Sequence, residues 1–355
     1  MHRILSHLVT GQPLSHEDAR EAFDTVMDGG ATPPQIAALL SMIQVRGATV
    51  DELHGAAAAM RARAVGVPMP RNRTGIDIVG TGGDHAGTFN VSTSAAIVTA
   101  AAGREMGLGV AKHGNKAVTS RSGSSQALEA LGVTLGGPVQ TLSRCLDEAG
   151  IAFFHAPAHH PAMRFAGPVR ADLGFRTIFN LVGPLTNPAG VRRMLLGVYT
   201  RRLVRPMAEV LGRLGVDHAL VVSGLIPDAD GSHTDGLDEV STCGPTHACR
   251  VRSGGPGEPP TLKDEEIDPS DLGLSWSHPA ALRVDGPEAS AAVIRRVLDG
   301  EDGPCRDIVI LNAAAALQVG GCVESLAEGL TAASQAIDSG AGRRTLADLV
   351  RLSAG

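Results

Sequence analysis

With 355 residues, 43% of them hydrophobic and 19% charged, the chain is long enough for two domains and apolar enough to bury their cores, which excludes wholesale disorder. Apolar runs such as residues 95–103 and 313–317 fall far short of the ~20 residues that span a bilayer, so no membrane partner is expected. A net charge of -6 with one Trp, one Tyr and seven Phe offers neither the basic surface nor the stacking aromatics of a nucleic-acid binder.

The N-terminus has no uninterrupted apolar core, which predicts no signal peptide and a cytoplasmic protein. Residues 1–70 read as helical: SHED at 15–18 opens one helix with acids in its first turn, TPP at 32–34 a second, and TVDE at 49–52 has the capping-box pattern. A Pro- and Arg-rich stretch, 67–74, then reads as a linker. From residue 75 short Val/Ile/Leu runs at 76–79, 108–111, 195–199, 219–223 and 308–311 alternate with Ala-rich helical stretches, predicting an α/β domain with a mainly parallel sheet. Residues 253–271, rich in Gly, Pro and acids, read as surface loop. The five cysteines are scattered with no CxxC pair, as expected of buried structural thiols. Only three lysines occur, Lys112, Lys116 and Lys263, and two of them share the segment AKHGNKAVTSRSG.

Five motifs carry chemistry. DIVGTGGD (77–84) ends a strand in a glycine-rich turn whose successive N–H groups can form an anion-binding concavity. It is neither a P-loop nor a dinucleotide fingerprint, and alone such a turn serves steric needs as readily as a ligand. TFNVSTS (88–94) runs into a helix, so Asn90, Ser92 and Thr93 lie at an N-terminus that suits phosphate, or a simple N-cap. KHGNKAVTSRSGSS (112–125) gathers cations, hydroxyls and glycines after another strand, the donors a pyrophosphate needs. DGLDEVS (235–241) offers the adjacent carboxylates Asp238 and Glu239, hard ligands for Mg²⁺ once polyphosphate loops accompany them. Arg170, in FAGPVR (165–170) before DLGFRTIFNLVGPLTNP (172–188), can grip a planar carboxylate. The histidines show no metal-ligand spacing and no Ser/His/Asp arrangement.

With GTGGD, NVST, KHGN…SRSGSS, PVR…NLVGPLTNP and DGLDE in this order, the chain resembles the anthranilate phosphoribosyltransferase family nearly end to end. The resemblance implies a small all-helical domain, residues 1–72 with a return segment at about 165–190, and a larger α/β domain, residues 73–355, of nucleoside phosphorylase/phosphoribosyltransferase-like fold. It implies a homodimer, a hinge cleft, and transfer of phosphoribosyl from 5-phosphoribosyl 1-diphosphate (PRPP) to anthranilate, with Mg²⁺ as cofactor, two ions per subunit. Carried over by motif, the PRPP contacts are Gly80, Gly83, Asp84, Thr88, Asn90, Val91, Ser92 and Thr93, extended by Lys112, His113, Gly114, Asn115, Lys116, Ala117, Val118, Thr119, Ser120 and Ser124. Gly80, Asn115 and Arg170 match anthranilate-contacting positions, and Ser92, Asp238 and Glu239 match the metal ligands. No catalytic base is implied; Lys112 and the metal site would stabilise the leaving group. Lys116 stands where many relatives have arginine, and residues 225–233 look like a longer loop before DGLDE. A pyrimidine-nucleoside phosphorylase would share the architecture but use inorganic phosphate and need no paired carboxylates.

Overall fold

The computed structural model describes residues 1–115, 122–227, 233–255 and 257–355. Four helices open the chain, His2–Leu8, His16–Met27, Pro33–Arg46 and Val50–Arg61. Their starts follow local chemistry. The Ser15 hydroxyl accepts from the Asp18 N–H at 3.1 Å, Pro33 and Pro34 occupy the first turn of the third helix, and Thr49 and Glu52 exchange capping-box bonds. Helix was expected to residue 70, but it ends at Arg61. Gly66, Pro68 and Pro70 cannot sustain it, and the chain is stitched instead to later segments, Val65 N–H to the His159 carbonyl (2.8 Å) and Val67 N–H to the Pro188 carbonyl (3.2 Å).

Among the described residues one sheet has eight strands: β1 (Thr74–Gly80), β2 (Leu108–Gly114), β3 (Ile151–His155), β4 (Arg193–Gly197), β5 (His218–Pro227), β6 (His233–Leu237), β7 (Thr246–Arg252) and β8 (Thr261–Ile267). The order is β3-β2-β1-β4-β5-β7-β8. The first five are parallel, β7 and β8 are antiparallel, and β6 folds back on the outer end of β5. From β1 the chain adds β2 and β3 on one side, then β4 and β5 on the other. The direction of growth therefore reverses between β1 and β4, where α/β sheets open a crevice at their carboxyl ends.

Alternation along the strands sorts the core into two layers. Leu195, Leu220, Val222 and Ala248 face one cluster, with the helices Val91–Gly103, Pro304–Gly320 and Ala341–Ser353. Met194, Leu196, Ala219, Val221, Cys249 and Val251 face the other, which also holds Phe23, Leu39, Leu40 and Leu53 of the N-terminal helices. Ala166, Val169, Ile178, Phe179, Val182 and Leu185 belong to that second cluster, so residues 166–185 pack with the N-terminal helices, whereas Ala189 belongs to the first cluster.

Two expectations are corrected. Residues 308–311 are not a strand; they lie in the helix Pro304–Gly320, which is buried almost all round, so its apolar run has no polar side to reveal a helical period. Within the stretch read as loop, 253–271, residues Thr261–Ile267 form β8, whose charges mark an edge strand rather than the absence of one. Cys145, Cys243 and Cys249 are buried free thiols as expected, whereas Cys305 and Cys322 are only partly so.

His218 shows how burial sets a pH limit on the fold. It is 2% exposed, its Nδ1 faces the Val319 carbonyl at 3.0 Å and its Nε2 faces Arg250 Nη1 at 3.1 Å. Arginine only donates, so Nε2 accepts and the ring is neutral. Burial, then Arg252 and Arg250, push its pKa down to about 3. The unfolded chain protonates near 6.5, so this contribution is intact above that pH and is lost as pH falls toward the folded value. From this group alone we expect about 2 kcal/mol less stability at pH 5 than at pH 8. Urea unfolding at both pH values checks it; an equal difference in the His218→Asn protein would refute the assignment.

Candidate active site

A cavity of about 770 Å³ opens outside the carboxyl ends of β1, β2 and β3, lined there by residues 79–84, 112–115 and 156–157. Its two sides differ. Met60, Val79, Phe179 and Pro184 bring apolar surface, while the Gly80–Asp84 turn, Ser92, Lys112, Asp238 and Glu239 bring donors, carboxylates and a cation.

The paired carboxylates are held by the backbone. Gly82 N–H donates to Asp238 Oδ2 at 2.7 Å, and Ser92 N–H donates to Glu239 Oε1 at 2.9 Å. The helix N-terminus read from sequence as a phosphate seat is thus capped here by Glu239, an equally good partner for its dipole. Asp238 sits in a double notch. Gly80 and Gly197 are register partners on β1 and β4, and a Cβ at either would fall 2.1 Å from Asp238 Oδ2 or 1.5 Å from the Asp238 carbonyl oxygen. Behind the pair, Asn312 of the central helix accepts from Val240 N–H at 2.9 Å and donates to the Val240 carbonyl at 2.8 Å.

The donor set fits a hard divalent cation. Burial and then the neighbouring Asp238 push Asp84 up to about 8, and the same two causes hold Glu239 well above the usual carboxylate range. Such crowding of like charges away from water is relieved by a cation. Among the described residues no three His, Cys, Asp or Glu side chains already converge as a metal cage. The Asp238–Glu239 pair itself is the donor type Mg²⁺ takes, since that ion keeps waters and bridges one or two carboxylates to substrate phosphates.

Lys112, 2% exposed, donates to the Ile78 carbonyl at 2.7 Å and to Ser92 Oγ at 3.2 Å. Burial lowers its pKa against the opposing pull of Asp77. Asp77, fully buried and pushed up to about 6 by desolvation, accepts from His113 N–H (3.1 Å) and Asn187 Nδ2 (2.7 Å). That carboxylate ties β1, β2 and the 186–190 turn together beneath the cavity. Sequence reading assigned no role to Asp77, Asn187, Gly197 or Asn312; each acts through a partner distant in the chain, and only the motifs around Asp77 and Asn187 hinted at them.

The other anticipated residues divide. Gly83, Thr88, Val91, His113, Gly114, Asn115 and Ser124 line the cavity with those above, but Thr93 is buried and does not. Asn90 lines it too, yet its Oδ1 accepts from Ser122 Oγ (2.7 Å) and Ser290 Oγ (2.8 Å), and its Nδ2 donates to the Ser122 carbonyl (3.2 Å), so the amide mainly shapes the loop. The expected contacts Lys116, Ala117, Val118, Thr119 and Ser120 lie outside the described residues. Arg170 reaches the apolar side, its guanidinium 5.3 Å from the Phe179 ring centroid and 3.5 Å from Asn180 Oδ1. From behind, Phe89 N–H donates to the Leu282 carbonyl and Arg283 Nε to the Ala86 carbonyl, bracing the glycine-rich loop.

Comparison with known proteins matches both the N-terminal helices and the α/β part of the chain. Residues 2–64 match the helical bundle domain of a glycosyl transferase family, and residues 72–343 its a/b domain. The anthranilate phosphoribosyltransferase of Rhodospirillum rubrum is 48% identical over 349 residues, 98% of this chain and 94% of its own. The anthranilate phosphoribosyltransferase structure from Thermus thermophilus superposes with a TM-score of 0.87 at 39% identity, covering 99% of each chain. The Saccharomyces cerevisiae enzyme in complex with PRPP and Mg gives 0.84 at 26% identity, covering 99% of this chain and 97% of its own. The same yeast enzyme in complex with 4-fluoroanthranilate gives 0.82 at 25%, with 99% and 98% covered.

Proposed function

The chain belongs to the anthranilate phosphoribosyltransferase family, and from that membership and its two-sided cleft we infer how it carries out the family's reaction. It transfers the 5-phosphoribosyl group of PRPP to the amine of anthranilate, giving N-(5-phosphoribosyl)anthranilate and diphosphate, the second step from chorismate to tryptophan. The observation that carries this reading is the carboxylate pair Asp238–Glu239, held by the N–H groups of Gly82 in the glycine-rich turn and Ser92 at a helix N-terminus, in a cavity that Arg170 also lines.

On this reading the diphosphate sugar lies against Gly80, Gly83, Asp84, Thr88, Asn90 to Ser92, Lys112 to Asn115 and Ser124, Thr93 supporting them from beneath the surface, and the family resemblance adds Lys116 to Ser120. Anthranilate lies against Gly80, Asn115 and Arg170, its ring on the apolar side and its carboxylate on the guanidinium. Asp238, Glu239 and the Ser92 hydroxyl hold two Mg²⁺ ions. When bound, the metal supplies Lewis-acid stabilisation of charge on the departing diphosphate. As the C1–O bond breaks, Lys112 adds fixed positive charge beside Ser92. The aromatic amine is neutral at pH 7, so positioning rather than a strong general base supports attack on C1.

Homodimer formation and a cytoplasmic location belong to the same reading. Val9 and Val45, 75% and 90% exposed near and on the N-terminal helices, support the first. Among the described residues no helix is long and apolar enough to cross a membrane.

The test is the loss of anthranilate fluorescence on mixing the protein with PRPP, with and without Mg²⁺. Magnesium-dependent loss is expected. No loss with any divalent metal would overturn the assignment and make nucleoside phosphorolysis the next assay.

A further inference from the structure

Arg176 lies between the helices Gly167–Leu173 and Ile178–Val182, in the segment that packs with the helical layer. Its Nη1 donates to the Gly83 carbonyl at 2.9 Å, and its guanidinium carbon stands 4.1 Å over the Tyr199 ring, just past the end of β4. One half-buried side chain therefore joins three parts of the molecule at the sheet's switch point: the return segment, the turn after β1, and the segment after β4.

That turn needs an outside tie. Gly82, Gly83 and His85 all hold positive φ, at 66°, 83° and 56°; the glycines reach it without steric cost but nothing local restrains them to it, and at His85 it costs some strain. Gly82 is fixed through its N–H by Asp238, and Ala86 through its carbonyl by Arg283. Between these anchors the Gly83 carbonyl is held by Arg176. Gly83 also leaves the space the guanidinium uses, since a Cβ there would lie 2.6 Å from Nη1. Arginine suits the task better than lysine, because a planar fork donates in one direction while its face stacks on an aromatic ring.

We propose that Arg176 is a positioning residue for the diphosphate-sugar site: backed by Tyr199, it fixes Gly83 and hence the adjacent Asp84, and couples the helical layer to that turn. The proposal rests on the reaction inferred above for its kinetic consequence, but not for its structural one.

The test pairs two measurements on the full-length protein and its Arg176→Gln, Arg176→Lys and Tyr199→Leu variants. The first is hydrogen–deuterium exchange of amides 82–87 without any substrate. Losing a charge-assisted bond and its stacking platform is expected to speed exchange about tenfold in Arg176→Gln, less in Arg176→Lys and Tyr199→Leu. The second is steady-state kinetics, with KM for PRPP rising about tenfold in Arg176→Gln while KM for anthranilate and kcat stay within about threefold. Unchanged ligand-free exchange in Arg176→Gln overturns the proposal whatever happens to KM, because a side chain that only touches substrate would give that result. Exchange that speeds equally across the whole chain also overturns it, as general destabilisation. Since the exchange arm uses no substrate, it stands or falls apart from the phosphoribosyl-transfer assay.

Discussion

Replacing Asp238 with asparagine and Glu239 with glutamine together is expected to lower kcat/KM by about a thousandfold, or about 4 kcal/mol of transition-state stabilisation. The substitution is conservative in shape. Each new amide oxygen can still accept from the N–H that the carboxylate used, Gly82 for position 238 and Ser92 for position 239. What disappears is negative charge at the cation seat. The same change removes crowding that holds Asp84 and Glu239 above the usual carboxylate range, so the ligand-free protein should melt about 1–3 °C higher. The fluorescence assay and thermal melts with and without Mg²⁺ check both halves. Activity within tenfold of the parent would remove the pair from the reaction, and a lower melting point would show that the charges stabilise the seat instead of straining it.

Among the described glycines Gly197 has the closest obstacle to a methyl group, and Gly197→Ala should cost at least about 4 kcal/mol. The obstacle is backbone, with the Asp238 carbonyl oxygen 1.5 Å, its carbon 2.2 Å and the Asp238 Cα 3.0 Å from the new methyl. No rotamer relieves this; β4 must part from the 238 segment, which Asn312 pins from the far side. Gly66→Ala is the control, because its methyl would meet only the Pro188 carbonyl at an ordinary 3.6 Å. Urea unfolding should show the collapse in the first variant and a change of less than about 1 kcal/mol in the second. A Gly197→Ala protein with the parental midpoint would mean that the close approach is not enforced by the fold.

These two substitutions mark the limits of what could be read in the sequence. Asp238 and Glu239 were legible because a polar pair following phosphate-binding motifs is chemically conspicuous. Asn90 and Ser92 were legible because a hydroxyl- and amide-rich stretch before an Ala-rich helix signals its N-terminus. Gly197 gave no such sign: its necessity depends on a chain segment about forty residues later passing over it. Asn312 and Asn187 were hidden likewise, as amides whose partners are backbone and carboxylate atoms supplied by other elements. The strand read at 308–311 failed for a different reason. Periodicity reports one wet face and one dry face, and a helix enclosed by its neighbours has no wet face.

The acid-rich strand β8 has a consequence for life at high concentration. An exposed sheet edge is a template on which a second chain can pair. Here the edge strand is TLKDEEI, with Lys263, Asp264 and Glu266 exposed, Ile267 buried in the core and only the half-buried Leu262 to offer a sticky surface. The opposite edge, β3, is apolar but packs against the helices Val139–Arg144 and Ala341–Ser353. An approaching strand therefore meets charge on one side and helices on the other. The composition that disguised β8 as loop is what keeps one molecule's sheet from extending into the next.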